Sequence, residues 1–129
     1  MRKIALVLIL MLGLSACIQK PVEDGKIRIV VSFYILEDFT KKIGGDLVTV
    51  INLTQSAGEP HEFEPSTQDM KILSDAKHIM ILGNDFEPWF NDVYDTIKSN
   101  GLDVLVLSDG FETIVDQNTQ QIDPHIWTS

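Results

Sequence analysis

Apolar residues fall along this chain in short blocks whose period switches between two and three to four, and each switch marks a new element. Residues 27–33, Ile-Arg-Ile-Val-Val-Ser-Phe, form a β-rich run, and Ile35, Leu36, Phe39 and Ile43 then recur at helical spacing until Gly44-Gly45 breaks the pattern. A second strand is predicted over 47–53, a helix near 67–76 and a third strand over 78–82. Asp85 is placed to cap a third helix with Pro88 in its first turn; Trp89, Val93 and Ile97 share one face of it, and Asn100-Gly101 closes it. Residues 104–107, Val-Leu-Val-Leu, are the fourth strand. The near-continuous apolar character of the third strand suits a sheet buried on both faces. Strands alternating with helices predict an α/β fold: a four-stranded, mostly parallel sheet flanked by helices in three layers, with right-handed crossovers. After Gly110 the chain turns polar, and no internal repeat or low-complexity tract interrupts it.

The N-terminus departs from this pattern. Arg2 and Lys3 precede an eleven-residue apolar run over 4–14, too short to span a bilayer as a helix, so residues 1–16 read as a secretory signal. Directly behind it stands Leu14-Ser15-Ala16-Cys17. Cys17 is the only cysteine of the 129 residues, so it has no intramolecular disulfide partner. Residues 17–26 are polar, with Pro21 and Gly25, as befits a tether to a folded body over 27–129. The chain carries ten basic and nineteen acidic residues; removing 1–16 leaves eight against nineteen, a net charge of −11. Such acidity disfavours nucleic acid and anionic membrane surfaces as ligands and suits attraction of cations.

Candidate chemistry centres on Gly58-Glu59-Pro60-His61-Glu62-Phe63-Glu64-Pro65-Ser66-Thr67, where one imidazole sits among three carboxylates between two prolines. Each proline fixes its own φ and biases the preceding residue away from helix, so the loop should be stiff, with Glu59 and Glu64 extended and His61 outside any helix. Ser66 and Asp69 have capping-box spacing for the helix that follows. An imidazole offers a neutral nitrogen to a transition metal and the carboxylates add charge and hard oxygens. His61-Glu62 begins like the zinc-protease motif HExxH, but position 65 is proline rather than histidine, which excludes it.

In open parallel sheets ligands bind beyond the carboxyl ends of the strands. His61 follows the second strand and His125, in Asp123-Pro124-His125-Ile126-Trp127, follows the fourth, so both belong at that edge. His78 opens the third strand and belongs at the opposite edge, where a structural role is expected.

Taken together, these segments resemble the substrate-binding lipoproteins of bacterial ABC transporters for zinc and manganese, also called the adhesin lipoprotein family. The likeness rests on a lipobox ending at Cys17, on residues 58–69 with Pro60-His61 and Phe63-Glu64-Pro65-Ser66, on Leu82-Gly83 with Glu87 and Trp89, and on Asp123-Pro124-His125-Ile126-Trp127. The resemblance implies a lipidated Cys17, an extracytoplasmic, membrane-anchored location, and an ABC permease with its ATPase as partners. It also implies that His61 and His125 bind Zn²⁺ or Mn²⁺ from the N-terminal lobe of a two-lobed receptor; with that lobe alone, the remaining coordination falls to water, to another chain or to a nearby carboxylate, Glu59 being the additional candidate ligand. The second lobe of the family supplies a His or Glu and an Asp. No such half occurs within these residues, so the expectation is an incomplete family domain, a truncated form or gene fragment. Residues 110–122 hold no histidine, unlike the His-rich insertion of many zinc-specific relatives, which leaves the choice between zinc and manganese open.

The expected function is therefore metal binding for import, without catalysis. Two rivals belong to other classes. An adhesion or interaction lipoprotein with a vestigial metal site would be indifferent to loss of both histidines. A metallohydrolase could hold a zinc-bound water between two histidines and a carboxylate, but no second carboxylate stands at a recognisable spacing to act as general base.

Overall fold

A computed structural model describes residues 25–55, 58–98, 101–112, 114–117 and 119–128. The signal segment 1–16, Cys17 and most of the 17–26 tether lie outside the described residues.

The sheet is fully parallel. Strands β1 (Ile27–Val31), β2 (Val48–Asn52), β3 (His78–Ile81) and β4 (Asp103–Val106) stand in the order β2-β1-β3-β4. Helix α1 (Tyr34–Gly44) joins β1 to β2, α2 (Thr67–Ser74) leads into β3, and α3 (Pro88–Ile97) leads into β4. Side chains of a strand point alternately to opposite faces, and the core divides accordingly. Val30, Ile79, Ile81 and the partly buried Ile51, Val104 and Val106 pack with Leu73 of α2 and Trp89, Phe90 and Ile97 of α3. Their neighbours Val31 and Leu82, with Ile29, Val50 and Met80, pack with Leu36 of α1 and with Phe33 and Phe86. The predicted three layers are thus present, with α1 on one face and α2 and α3 on the other.

Local signals explain most boundaries. Ser66 and Asp69 form the expected reciprocal capping box at the start of α2. Gly45 ends α1 at φ 51° and a short 3₁₀ turn, Gly45–Leu47, delivers the chain to β2. Two expectations are corrected. Asp85 does not cap α3: it has φ 60°, and the cap position belongs to Glu87, whose carboxylate turns back to the amides of Leu82 and Gly83. The apolar stripe of α1 is covered only in part: Leu36 and Thr40 are buried, whereas Phe39 at its edge and Ile43 in the last turn are exposed.

The polar stretch after β4 folds into a small antiparallel hairpin, β5 (Ile114–Val115) and β6 (Ile122–Asp123), that was not anticipated. Part of the predicted helix closure, Asn100, lies outside the described residues; Gly101 has φ 69°.

Strand order decides where a ligand can sit. The chain leaves β1 for β2 on one side, then passes back across β1 to β3 on the other, so connections depart in opposite directions from the adjacent carboxyl ends of β1 and β3. Such a switch point opens a crevice at that edge.

Candidate metal centre

His61 reaches the crevice from the loop after β2. Pro60 occupies the first position of a one-turn 3₁₀ helix, Pro60–Glu62, where its missing N–H is not needed. His61 therefore lies inside a 3₁₀ turn, against the expectation that it stands outside any helix, because proline at the first helical position already has a helical φ. Glu59, extended as expected, accepts a long hydrogen bond from the His61 amide (3.5 Å) and so caps the turn. Phe63, next in the loop, is buried against Trp89 and anchors it to the α3 side of the core.

His125 arrives from the other direction, after β6. Asp123 accepts a hydrogen bond from the His125 amide (2.9 Å) and lies 2.6 Å from its Nδ1. A carboxylate only accepts, so Nδ1 carries the proton and the Nε2 lone pair is the one presented to an electrophile. The two bonds, that from the amide first, hold the Asp123 carboxyl below its ordinary value. Ile126 and Trp127 follow in a 3₁₀ turn, Ile126–Thr128, and pack on the α1-side core.

These two loops, sixty-four positions apart, bring the imidazole rings to a centroid separation of 5.8 Å. With Zn–N bonds of about 2.0–2.1 Å, two imidazoles sharing one cation hold their ring centres roughly 5–6 Å apart. The observed ring separation lies in that range. Among the described residues no three His, Cys, Asp or Glu side chains gather into a metal-holding group, so Glu59 is not drawn in with the pair. His78 stands at the far edge, its Nδ1 3.3 Å from Asp103 across the β3–β4 register.

Beneath the pair lies an aromatic floor that pattern reading did not find. Phe86 meets His61 edge-on at 4.3 Å and His125 at 6.0 Å, and packs on Phe33 at 4.6 Å and Trp127 at 5.4 Å. Its position follows from the loop before it. Gly83, Asn84 and Asp85 all have positive φ, a run that Gly, Asn and Asp tolerate best. At Gly83 an added Cβ would stand 2.5 Å from both Ser108 Oγ and Val106 Cγ1, so only glycine lets this loop lie against the end of β4.

Glu87 is buried directly after Phe86, with 4% of its surface exposed. Its carboxylate accepts from the Ser32 hydroxyl and from the amides of Leu82 (2.8 Å) and Gly83 (3.0 Å), tying the ends of β1 and β3 to the start of α3. Burial raises its pKa; these hydrogen bonds and the charge of His61 pull it back. On the outer side of His61, a depression of about 210 Å³ is bordered by Glu62, Glu64 and Asp92, adding negative potential to the approach.

Residues 29–129 match the family described as the zinc-uptake complex component A, periplasmic. The zinc-binding lipoprotein AdcA of Streptococcus pneumoniae is 34% identical over an alignment of 145 residues covering 100% of this chain and 29% of AdcA. The metal ABC transporter substrate-binding lipoprotein SloC of Streptococcus mutans is 33% identical, covering 98% of this chain and 45% of SloC. The chain thus spans less than half the length of these relatives. Among solved structures, the Zn(II)-bound ZnuA-like domain of the pneumococcal AdcA superposes with a TM-score of 0.71 at 30% identity, over 81% of this chain and 38% of that one. A Mn-bound periplasmic metal-binding protein from Candidatus Liberibacter asiaticus gives a TM-score of 0.70 at 28% identity, over 81% and 39% of the two chains.

Proposed function

Since this chain belongs to the zinc-uptake component A family, we propose that it captures a divalent transition metal, zinc or manganese, outside the cytoplasmic membrane and hands it to an ABC permease and its ATPase. Lipidation at Cys17 tethers it to the membrane. It holds and releases a cation and carries out no reaction on it.

The observation that carries this reading is the approach of His61 and His125 to 5.8 Å at the carboxyl edge of the sheet. Both relatives named above are metal-binding or metal-transport lipoproteins, which supports the cargo and the route. Two imidazoles supply part of a coordination shell. Water or a second lobe of the kind the family resemblance implies completes it. Neutral imidazole is an avid ligand for zinc, while Mn²⁺ prefers carboxylate oxygen, so the completing groups choose between the two metals.

Zinc titration followed by calorimetry tests the site. His61→Ala and His125→Ala should each lower affinity by at least the ~10–100-fold that loss of an outer-sphere partner alone costs, while His78→Ala leaves it unchanged. Affinity should also fall from neutral to mildly acidic pH, because protons compete with the metal for imidazole nitrogens. Binding that ignores pH, or that survives both substitutions intact, sinks the assignment.

A further inference from the structure

Glu87 sits where an anion is costly. It is almost wholly buried, and its partners are all neutral: one hydroxyl and two main-chain amides. Among the described residues it forms no ion pair, and His61, only when protonated, is the side chain that would favour its anion electrostatically. The start of α3, where Glu87 holds the cap position, offers only the partial positive charge of a helix N-terminus. Isolated buried carboxylates are expensive and ordinarily paired with a cation. With both oxygens already accepting hydrogen bonds, the carboxylate is committed to bracing the switch-point crevice and is not positioned to be a ligand itself.

Resting on the metal-binding reading above, we propose that Glu87 is the outer-sphere counter-charge of the His61–His125 site: a positioning residue whose buried negative charge is answered by the cation bound above it, and which favours doubly over singly charged ions. The two roles are linked through the fold. Phe86, the residue directly before Glu87, contacts both imidazole rings. A charge fixed in a poorly screened interior acts across several ångströms, where a surface carboxylate would be damped by water and salt.

The test compares Zn²⁺ with Ag⁺, a singly charged ion that also takes imidazole nitrogen, on the full chain in chloride-free buffer, with thermal melting of the metal-free protein run in parallel. The interaction energy scales with ion charge, so Glu87→Gln should weaken zinc binding on the order of tenfold and silver binding only about threefold. Glu87→Asp keeps the charge and should retain zinc affinity within the same order of magnitude as wild type, even though its shorter side chain lowers the melting temperature. Equal losses for both ions in Glu87→Gln, no loss for either, or a fall in Glu87→Asp as deep as in Glu87→Gln would show a purely structural residue and overturn the proposal. If Glu87→Gln does not fold, the zinc-to-silver affinity ratio of Glu87→Asp decides: a wild-type ratio supports the counter-charge and an altered one overturns it. His61→Ala run alongside separates the two readings. Zinc binding that His61→Ala leaves intact removes the metal site and this inference with it, whereas binding that needs His61 but ignores Glu87 removes the inference alone.

Discussion

Asp123 fixes which nitrogen of His125 is available for chemistry, and it does so across a gap of only two residues. A histidine presented to a metal usually donates its other ring N–H to such an acceptor, which sets the tautomer and the ring direction. Asp123→Ala should therefore lower zinc affinity about 10–100-fold without removing any direct ligand, read by the same calorimetric titration. His125 itself could be picked out from the run Asp-Pro-His and from its place after the fourth strand. The carboxylate partner was in view as part of that motif, but its bond to Nδ1 depends on a turn that only the folded backbone defines. Glu87 was less legible still. In the sequence it stands out only as part of the likeness carried by Leu82-Gly83 and Trp89, and its burial follows from the three positive-φ residues before it.

At the scale of elements, one local capping signal matches the structure and another does not. The Ser66–Asp69 capping box lies within four consecutive residues and forms as expected. Ser66→Ala should destabilise the fold by about 1 kcal/mol, measured by urea denaturation, because it leaves first-turn amides of α2 without their acceptor. Asp85 has the right chemistry for a cap in the wrong place. Its position at φ 60° aims the chain inward, and Glu87 takes the cap position while spending its carboxylate on the loop. Phe39 and Ile43 lie on the apolar side of α1 in a helical projection, yet both stay exposed, Ile43 by 89%. The β5–β6 hairpin was hidden because its two-residue strands are too short to show a period.

For the whole molecule, the strand order β2-β1-β3-β4 matters most. It puts the ends of β1 and β3 side by side and makes the crevice into which loops after β2 and β6 reach. The net charge of −11 over residues 17–129 favours attraction of cations to the body, and the lipid tether proposed at Cys17 would hold it near a membrane. The anchor is testable apart from the metal. In cells, the protein should label with radioactive fatty acid and partition into detergent, and Cys17→Ser should abolish the label and leave the protein unprocessed. Labelling that persists in Cys17→Ser would place the lipid elsewhere or refute the tether.

Sequence alone determined the four sheet strands and three α-helices, their order, the α/β class and the two histidine loops, because hydrophobic period, proline and glycine act over a few neighbouring residues. It also sorted His61 and His125 from His78, since a parallel sheet has only two edges and each histidine follows or precedes a strand. Tertiary structure alone decided the strand order, the 5.8 Å meeting of the rings, the aromatic floor under them and the burial of Glu87. These depend on contacts between residues tens of positions apart, and such contacts are set by how whole faces pack. No local pattern encodes them.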